Sequence, residues 1–231
     1  MSTMEIISWL FIIVGVLQAV YITIDVVRRP QQMMPIMNIV WPLTGLYFPV
    51  VGLLAYWKLG RNNHPHNHQH GHHVHHGHHE HQNKPFWQSV FVSTTHCSSG
   101  CSLGDMIGVP VVVFTGLTIA GSTLFAEYAV EFVLAYIFGI AFQYYGMGAH
   151  GKGSPRERLK NAVKADTWSL IAFEVGMFGW MAVSHYLLFA QPPEPSGAVF
   201  WFMMQIAMML GFLTSYPANW LLVKKGVKHA M

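Results

Sequence analysis

Residues 86–101, FWQSVFVSTTHCSSGC, followed by residues 102–121, SLGDMIGVPVVVFTGLTIAG, decide how the fold is read. The second part is apolar enough for a membrane span. The first is uncharged but half polar. As one helix, the 36 residues of 86–121 would cover about 54 Å, against a bilayer core of about 30 Å. The expectation is therefore a separate element at 86–101, either a weak seventh span or a re-entrant segment. Having no charge, it has no reason to stay in water.

Working outward, the run at 103–121 is joined by apolar stretches at 6–27, 38–57, 124–145, 165–190 and 199–223, giving six strong spans. Hydrophobic residues make up 52% of the chain and charged residues 10%, where soluble domains carry about 25% charged. The predicted fold class is all-α, a polytopic transmembrane helix bundle. Its expected parts are a two-helix transmembrane segment at 1–60, a histidine-rich loop at 61–84 and a bundle core at 85–231. The first apolar run lacks a basic leader and a small-residue cleavage site, which predicts a retained span. Ser154-Pro155-Arg156-Glu157 has the form of a capping box with proline at the first helical position. Gly121-Ser122 marks a tight turn, and Gln191-Pro192-Pro193-Glu194-Pro195 a short rigid loop.

Topology hangs on residues 86–101. Seven crossings place the N-terminus and the histidine-rich loop outside; six place both inside. Either way the 146–164 loop and the C-terminus are cytoplasmic, and Lys and Arg divide too similarly to choose. The net charge of +3 has no nucleic-acid pattern, because the basic residues sit at span ends.

PFWQSVFVSTTHCSSGCSLGD (85–105), LTIAGSTLFAEYAVEFVLAYIFGIAFQYY (117–145), KADTWSLIAFEVGMFGWMA (164–182) and WFMMQIAMMLGFLTSYPANW (201–220) carry a resemblance. The chain resembles an uncharacterised family of prokaryotic polytopic membrane proteins, catalogued as a domain of unknown function. The likeness covers about 85–231 and, more weakly, 1–60. Its most specific strings are THC-x-x-GC-x-LGD at 95–105 and FEVGMFGWM at 173–181. It implies a multi-pass protein of a prokaryotic cytoplasmic membrane and supplies no reaction.

Residues 64–81 read HPHNHQHGHHVHHGHHEH, with 11 histidines in 18 positions. Such a string has no apolar face from which to build a core. Its imidazoles, with His72, His73, His75, His76, His78 and His79 the densest, suit zinc, nickel, cobalt or copper ions rather than calcium or magnesium. A solvated linker with incidental metal affinity is the alternative.

Within the spans, His96, Cys97 and Cys101 fall inside six residues. On a helix Cys97 and Cys101 share a face. They could hold a soft ion with His96 nearby, form a disulfide, or simply be small residues in a tight helix contact. Acids at membrane depth are functional candidates by default. Glu127 and Glu131 are one turn apart; Glu131 and Glu174 are the deeper pair. Asp25 and Asp166 lie near span ends, where solvation at the interface explains them. Glu174, Met177, Met181 and His185 form a stripe that is either a stepped ion path or, for the methionines, packing. Gly139, Gly176, Gly179 and Gly211 read as close helix contacts.

The chain has no phosphate-binding loop, dinucleotide fingerprint, H-E-x-x-H or haem-attachment string. The sequence thus points to an integral membrane protein that binds a transition-metal ion and transports it or hands it over. His96, Cys97, Cys101, Glu131, Glu174 and His185 are the expected site residues. The alternatives are a membrane thiol or metal redox enzyme, its assembly factor, or an accessory subunit of a membrane complex. Expected partners are the lipid bilayer and metal ions, no nucleic acid, and a second copy or a larger complex. Deleting residues 64–81 should lower Zn(II), Ni(II) or Cu(II) bound per purified chain, read by elemental analysis, and leave the bundle folded. Loss of the folded protein on deletion would make the tract structural.

Overall fold

A computed structural model describes residues 2–31, 34–61, 85–146 and 154–228. The elements are α1 (Thr3–Arg28), α2 (Met37–Tyr47), α3 (Val51–Ala55), α4 (Phe86–Thr115), α5 (Thr123–Gly146), α6 (Pro155–Val183) and α7 (Ala198–Lys224). Wider π-type turns extend α3 through Gly60 and α6 through Leu188. The all-α bundle is as the composition predicts. Five helices, α1 and α4 to α7, are long and apolar enough to cross a membrane. The side chains of Ile6, Leu10, Ile13, Leu17, Ile24 and Val27 on α1 point outward, as a lipid-facing helix requires.

Several local signals are met. Ser2 and Glu5 cap α1 reciprocally, and Ser154 and Glu157 do the same for α6, with Pro155 at its first turn. Ala120 and Gly121 take left-handed conformations in the turn between α4 and α5.

Residues 86–101 are not a separate element. They are the first half of α4, which continues to Thr115 and stops at Gly116 in a left-handed cap. The expected length was excessive because residues 116–122 are turn. At 30 residues the helix is about 45 Å long, which a tilt or a protruding end accommodates. Its polar half needs neither water nor lipid: residues 92–102 are buried throughout, because α2, α5, α6 and α7 pack around it.

The apolar run at 38–57 does not cross. It is a hairpin. Val50 has φ 64°, an outlier for a β-branched residue, and the chain doubles back there. A Cβ on Gly52 would lie 3.2 Å from the Gly45 Cα, and one on Gly60 would collide with the Trp41 ring. Against α1 the returning arm runs from Gln18, which accepts from Val50 N at 3.0 Å, to Asp25, which meets Tyr56 and Arg61. The tip therefore reaches the middle of α1 and the arm leaves at the end where it entered. Irregular backbone at such depth persists only when protein satisfies it. Gln18 Nε2 donates to the Gly45 and Phe48 carbonyls. Gln205 Nε2 on α7 donates to Leu46 O at 2.9 Å. Asp25 is thus a structural anchor, bound by Arg61 Nε at 3.0 Å and Tyr56 Oη at 2.9 Å.

The chain passes between the two ends of the bundle five times. One end holds the start of α1 (the Phe11 and Phe202 rings lie 5.1 Å apart, tilted), the α4–α5 turn and the start of α7. The other holds Arg28, Arg29, Lys58, Arg61, Arg156, Arg158, Lys160, Lys164, Lys224, Lys225 and Lys228. These are all the Lys and Arg among the described residues. The remaining two of the 13, Lys84 and Lys152, fall in sequence between segments that both leave and return at this basic end.

Replacing Gln18 with Leu should strip three backbone groups of the hairpin tip of their partner. The expected loss is about 2–4 kcal/mol, read as a lowered unfolding midpoint in detergent. An unchanged midpoint would mean that the hairpin does not depend on this side chain.

Candidate functional site

Glycine fixes the spacing of α4 and α5. Gly100, Gly104 and Gly108 follow one another at every fourth residue of α4. A Cβ at Gly100 would lie 2.9 Å from the Gly139 Cα, one at Gly104 would strike the Ala135 backbone, and one at Gly108 would lie 2.7 Å from Glu131 Cγ. This small-residue stripe lets the two backbones approach and presses Glu131 against α4. Gly176 and Gly211 serve α6 and α7 in the same way, whereas Gly179 faces open space.

Two groups of ionisable residues follow from that spacing. The first joins Asp105 of α4, Glu131 of α5 and Glu174 of α6. All three are buried, at 0%, 2% and 2% exposure, and within electrostatic reach of one another. Among the described residues, neither carboxylate oxygen of Asp105 or Glu174 has a hydrogen-bond partner. Three such groups cannot all carry charge at membrane depth without a cation to balance them. Glu131 and Glu174 are thus within electrostatic reach of one another, and Asp105, the last residue of the THC-x-x-GC-x-LGD string, is within reach of both.

The second group lies toward the basic end. Asp166 is wholly buried, not solvated at an interface, and its Oδ1 accepts from Lys228 Nζ at 3.0 Å. Lys228 Nζ also reaches Asn219 Oδ1 at 2.8 Å and Ser169 Oγ at 3.5 Å. Burial disfavours the ammonium, but Cys97 and Asp166 beside it outweigh that and hold its pKa above the ordinary lysine value. Ser169 Oγ is in turn 3.2 Å from Cys97 Sγ. Cys97 and Cys101 are free, buried and adjacent, and Cys101 feels both Asp166 and Glu174. The thiols therefore bridge the two ionisable groups. Lys228, Asp166, Ser169, Cys97, Cys101, Glu174, Asp105 and Glu131 form one column through the bundle.

His185 does not join it, and His96, though within electrostatic reach of Asp166 and Lys228, makes no side-chain hydrogen bond to it. His96 faces α5: its Nε2 would lie 2.7 Å from a Cβ at Gly146, and its ring is 6.3 Å from Phe142. One residue of helix rotates it by about 100° from Cys97, which explains why the two side chains meet different helices. Among the described residues no group of three or more His, Cys, Asp or Glu is close enough to hold a metal ion at once. His185 is half-buried on the turn that extends α6, in a cavity of about 210 Å³ shared with Glu127 and Glu194 at the end opposite the lysines. It is apart from Glu174. Met177 and Met181 pack with Met203, Met204 and Met208 in the apolar core, as the packing alternative holds. His72, His73, His75, His76, His78 and His79 lie outside the described residues.

An all-α bundle of membrane-length helices with an ionisable interior is the class that fold and site define. The chain belongs to the family described as a domain of unknown function (DUF4396), whose model matches residues 86–228. The match opens at the first residue of α4 and closes on Lys228. No curated protein and no solved structure matches the chain.

The two halves of the buried ion pair should respond unequally to mutation. Lys228→Met strands Asp166 on α6 with no route to solvent and should cost about 3–5 kcal/mol. Asp166→Asn leaves a lysine outside any helix, whose long side chain can turn toward water, and should cost only about 1–2 kcal/mol. Equal losses in denaturant titrations would show the tail to be as immobile as the helix.

Proposed function

We propose that this protein is a membrane carrier for a transition-metal ion, moved along the column between α4, α5 and α6. The observation that carries the reading is the buried trio Asp105, Glu131 and Glu174, in which the carboxylates of Asp105 and Glu174 have no partner among the described residues and call for a cation. Cys97 and Cys101 supply soft ligands at the middle of the path, which suits zinc, copper, nickel or cobalt better than sodium or calcium. Ligands spaced along a path, rather than closed into one set, fit an ion that must leave as readily as it arrives. His96 and His185 stand beside the path, His185 at its mouth with Glu127 and Glu194.

The basic end is the cytoplasmic side on the positive-inside rule, since every Lys and Arg among the described residues belongs to it. The C-terminus and the histidine tract are then cytoplasmic and the N-terminus external, in the cytoplasmic membrane of a prokaryote. A cytoplasmic tract of imidazoles raises metal concentration at the inner mouth, so export is the direction.

Glu174→Gln keeps shape and hydrogen-bonding capacity but removes the titratable charge. Zinc flux in proteoliposomes should fall at least about tenfold, equivalent to 1.4 kcal/mol, while the unfolding midpoint stays or rises. Cys97→Ser and Cys101→Ser should each impair flux. Wild-type flux in Glu174→Gln rejects the column. If flux is absent but Cys97 and Cys101 cycle between thiol and disulfide, the adjacent free thiols serve redox chemistry instead.

A further inference from the structure

Lys228 is not part of any helix. It follows α7 after a reversal at Gly226, whose φ is 67°. The amides of Val227 and Lys228 both turn back to Leu222 O, at 3.0 and 3.3 Å. From this tail the side chain enters the bundle and is fully buried between α6 and α7. What it enters is a built set of oxygens. Asn219 Nδ2 donates to Ser215 O at 3.0 Å and Oγ at 2.9 Å, which turns its own Oδ1 toward the ammonium. Ser215 Oγ donates to Ser169 O at 3.0 Å, tying α7 to α6 behind the set. Asp166 Oδ2 is buried and, among the described residues, unpartnered; it would lie 3.2 Å from a Cβ on Gly139. The slot therefore has more acceptor capacity than one ammonium uses, and Cys97 Sγ adjoins it through Ser169.

We propose that Asp166, Ser169 and Asn219 form a cation site at the basic end of the column, and that Lys228 is its tethered occupant, which a mobile cation displaces. This rests on the column reading for its role but not for its existence. An ammonium is a compact point charge held by oxygens, so it stands in for a metal ion of similar demands. Exchange keeps the slot occupied: when a divalent cation enters, the ammonium moves into water and the buried carboxylate is never left bare. Tethering makes the competitor's effective concentration high, so the path is closed to water and weak binders until a cation with a better claim on the carboxylate arrives.

The test uses the full chain in nanodiscs, with Cys97 labelling by a charged thiol reagent read by peptide mass spectrometry, and zinc as the probe cation. Wild type and Lys228→Arg should label slowly. Lys228→Ala should label at least about tenfold faster, as expected when a buried group gains an open state, and zinc should slow that labelling. Because Lys228→Ala leaves Asp166 unpaired, the double variant Asp166→Asn with Lys228→Ala is the folded control: it should label fast and need at least about tenfold more zinc for protection than Lys228→Ala, because zinc then has only the thiols to bind. Equal labelling of wild type and both alanine variants would overturn the tethered-occupant proposal. Zinc protection at the same concentration in the double variant as in Lys228→Ala, or none in Lys228→Ala, would overturn the cation site. If the expected labelling pattern accompanies absent zinc flux in the wild type, the carrier reading fails and the slot stands.

Discussion

Contact between α4 and α5 through Gly100, Gly104 and Gly108 sets the distances on which the rest depends. Lipid tails give apolar helices no reason to prefer one another over the bilayer, so packing and polar contacts must hold a bundle together. Three glycines in register supply the packing. They also bring a polar helix face against a neighbour instead of against lipid. Residues 92–102 can then be buried as serines, threonines, cysteines and a histidine without facing hydrocarbon. The same approach places Glu131 opposite Gly108, within electrostatic reach of Asp105 and Glu174. Bulk at Gly104 would both part the helices and pull the acids asunder.

The hairpin 37–60 fills the remaining side of α4. Thr44 Oγ1 and Ser99 Oγ are 3.1 Å apart, and Ser99 Oγ donates to Val40 O at 3.2 Å. Tyr47 and Phe48 at its tip pack with the core of α4, α6 and α7. The segment outside the family match is therefore integrated with the matched part, and 1–60 and 85–228 form one bundle. The helix breaks in the middle of the bundle, where Gln18 and Gln205 satisfy its irregular backbone. Here the tip stands against the helix that carries both thiols.

The sequence made α1, α5, α6 and α7 legible, because each is a long apolar run with clear punctuation. Glu131 and Glu174 were readable as deep acids from their position in those runs. The hairpin was missed because residues 38–57 are uniformly apolar, and hydropathy does not distinguish a chain that crosses from one that turns back. The available signal was Phe48-Pro49, since a residue before proline is biased out of the helix, with Gly45 and Gly52 on either side. The span at 103–121 was set too late by assigning the polar half of α4 elsewhere: polarity was weighed against lipid, although the neighbours of a central helix are protein. Lys228 had no local mark. It follows Lys224 and Lys225, which are exposed as span-end lysines should be, and only the backbone reversal at Gly226 separates its fate from theirs.

Folding back at Val50 has a consequence for biogenesis. Were residues 38–57 a crossing, every later loop would change sides and the lysines and arginines would be divided between the faces. Because the segment returns, the stretches delivered to the far face are the start of α1, residues 116–122 and residues 189–197, none of which contains Lys or Arg. With the basic end on the side of synthesis, insertion would drag none of the described basic side chains through hydrocarbon, a step costing about 2.5–3.5 kcal/mol per residue at the centre. The inverted molecule would have to translocate all of them. One turn of backbone thus keeps every described basic side chain at a single end of the bundle.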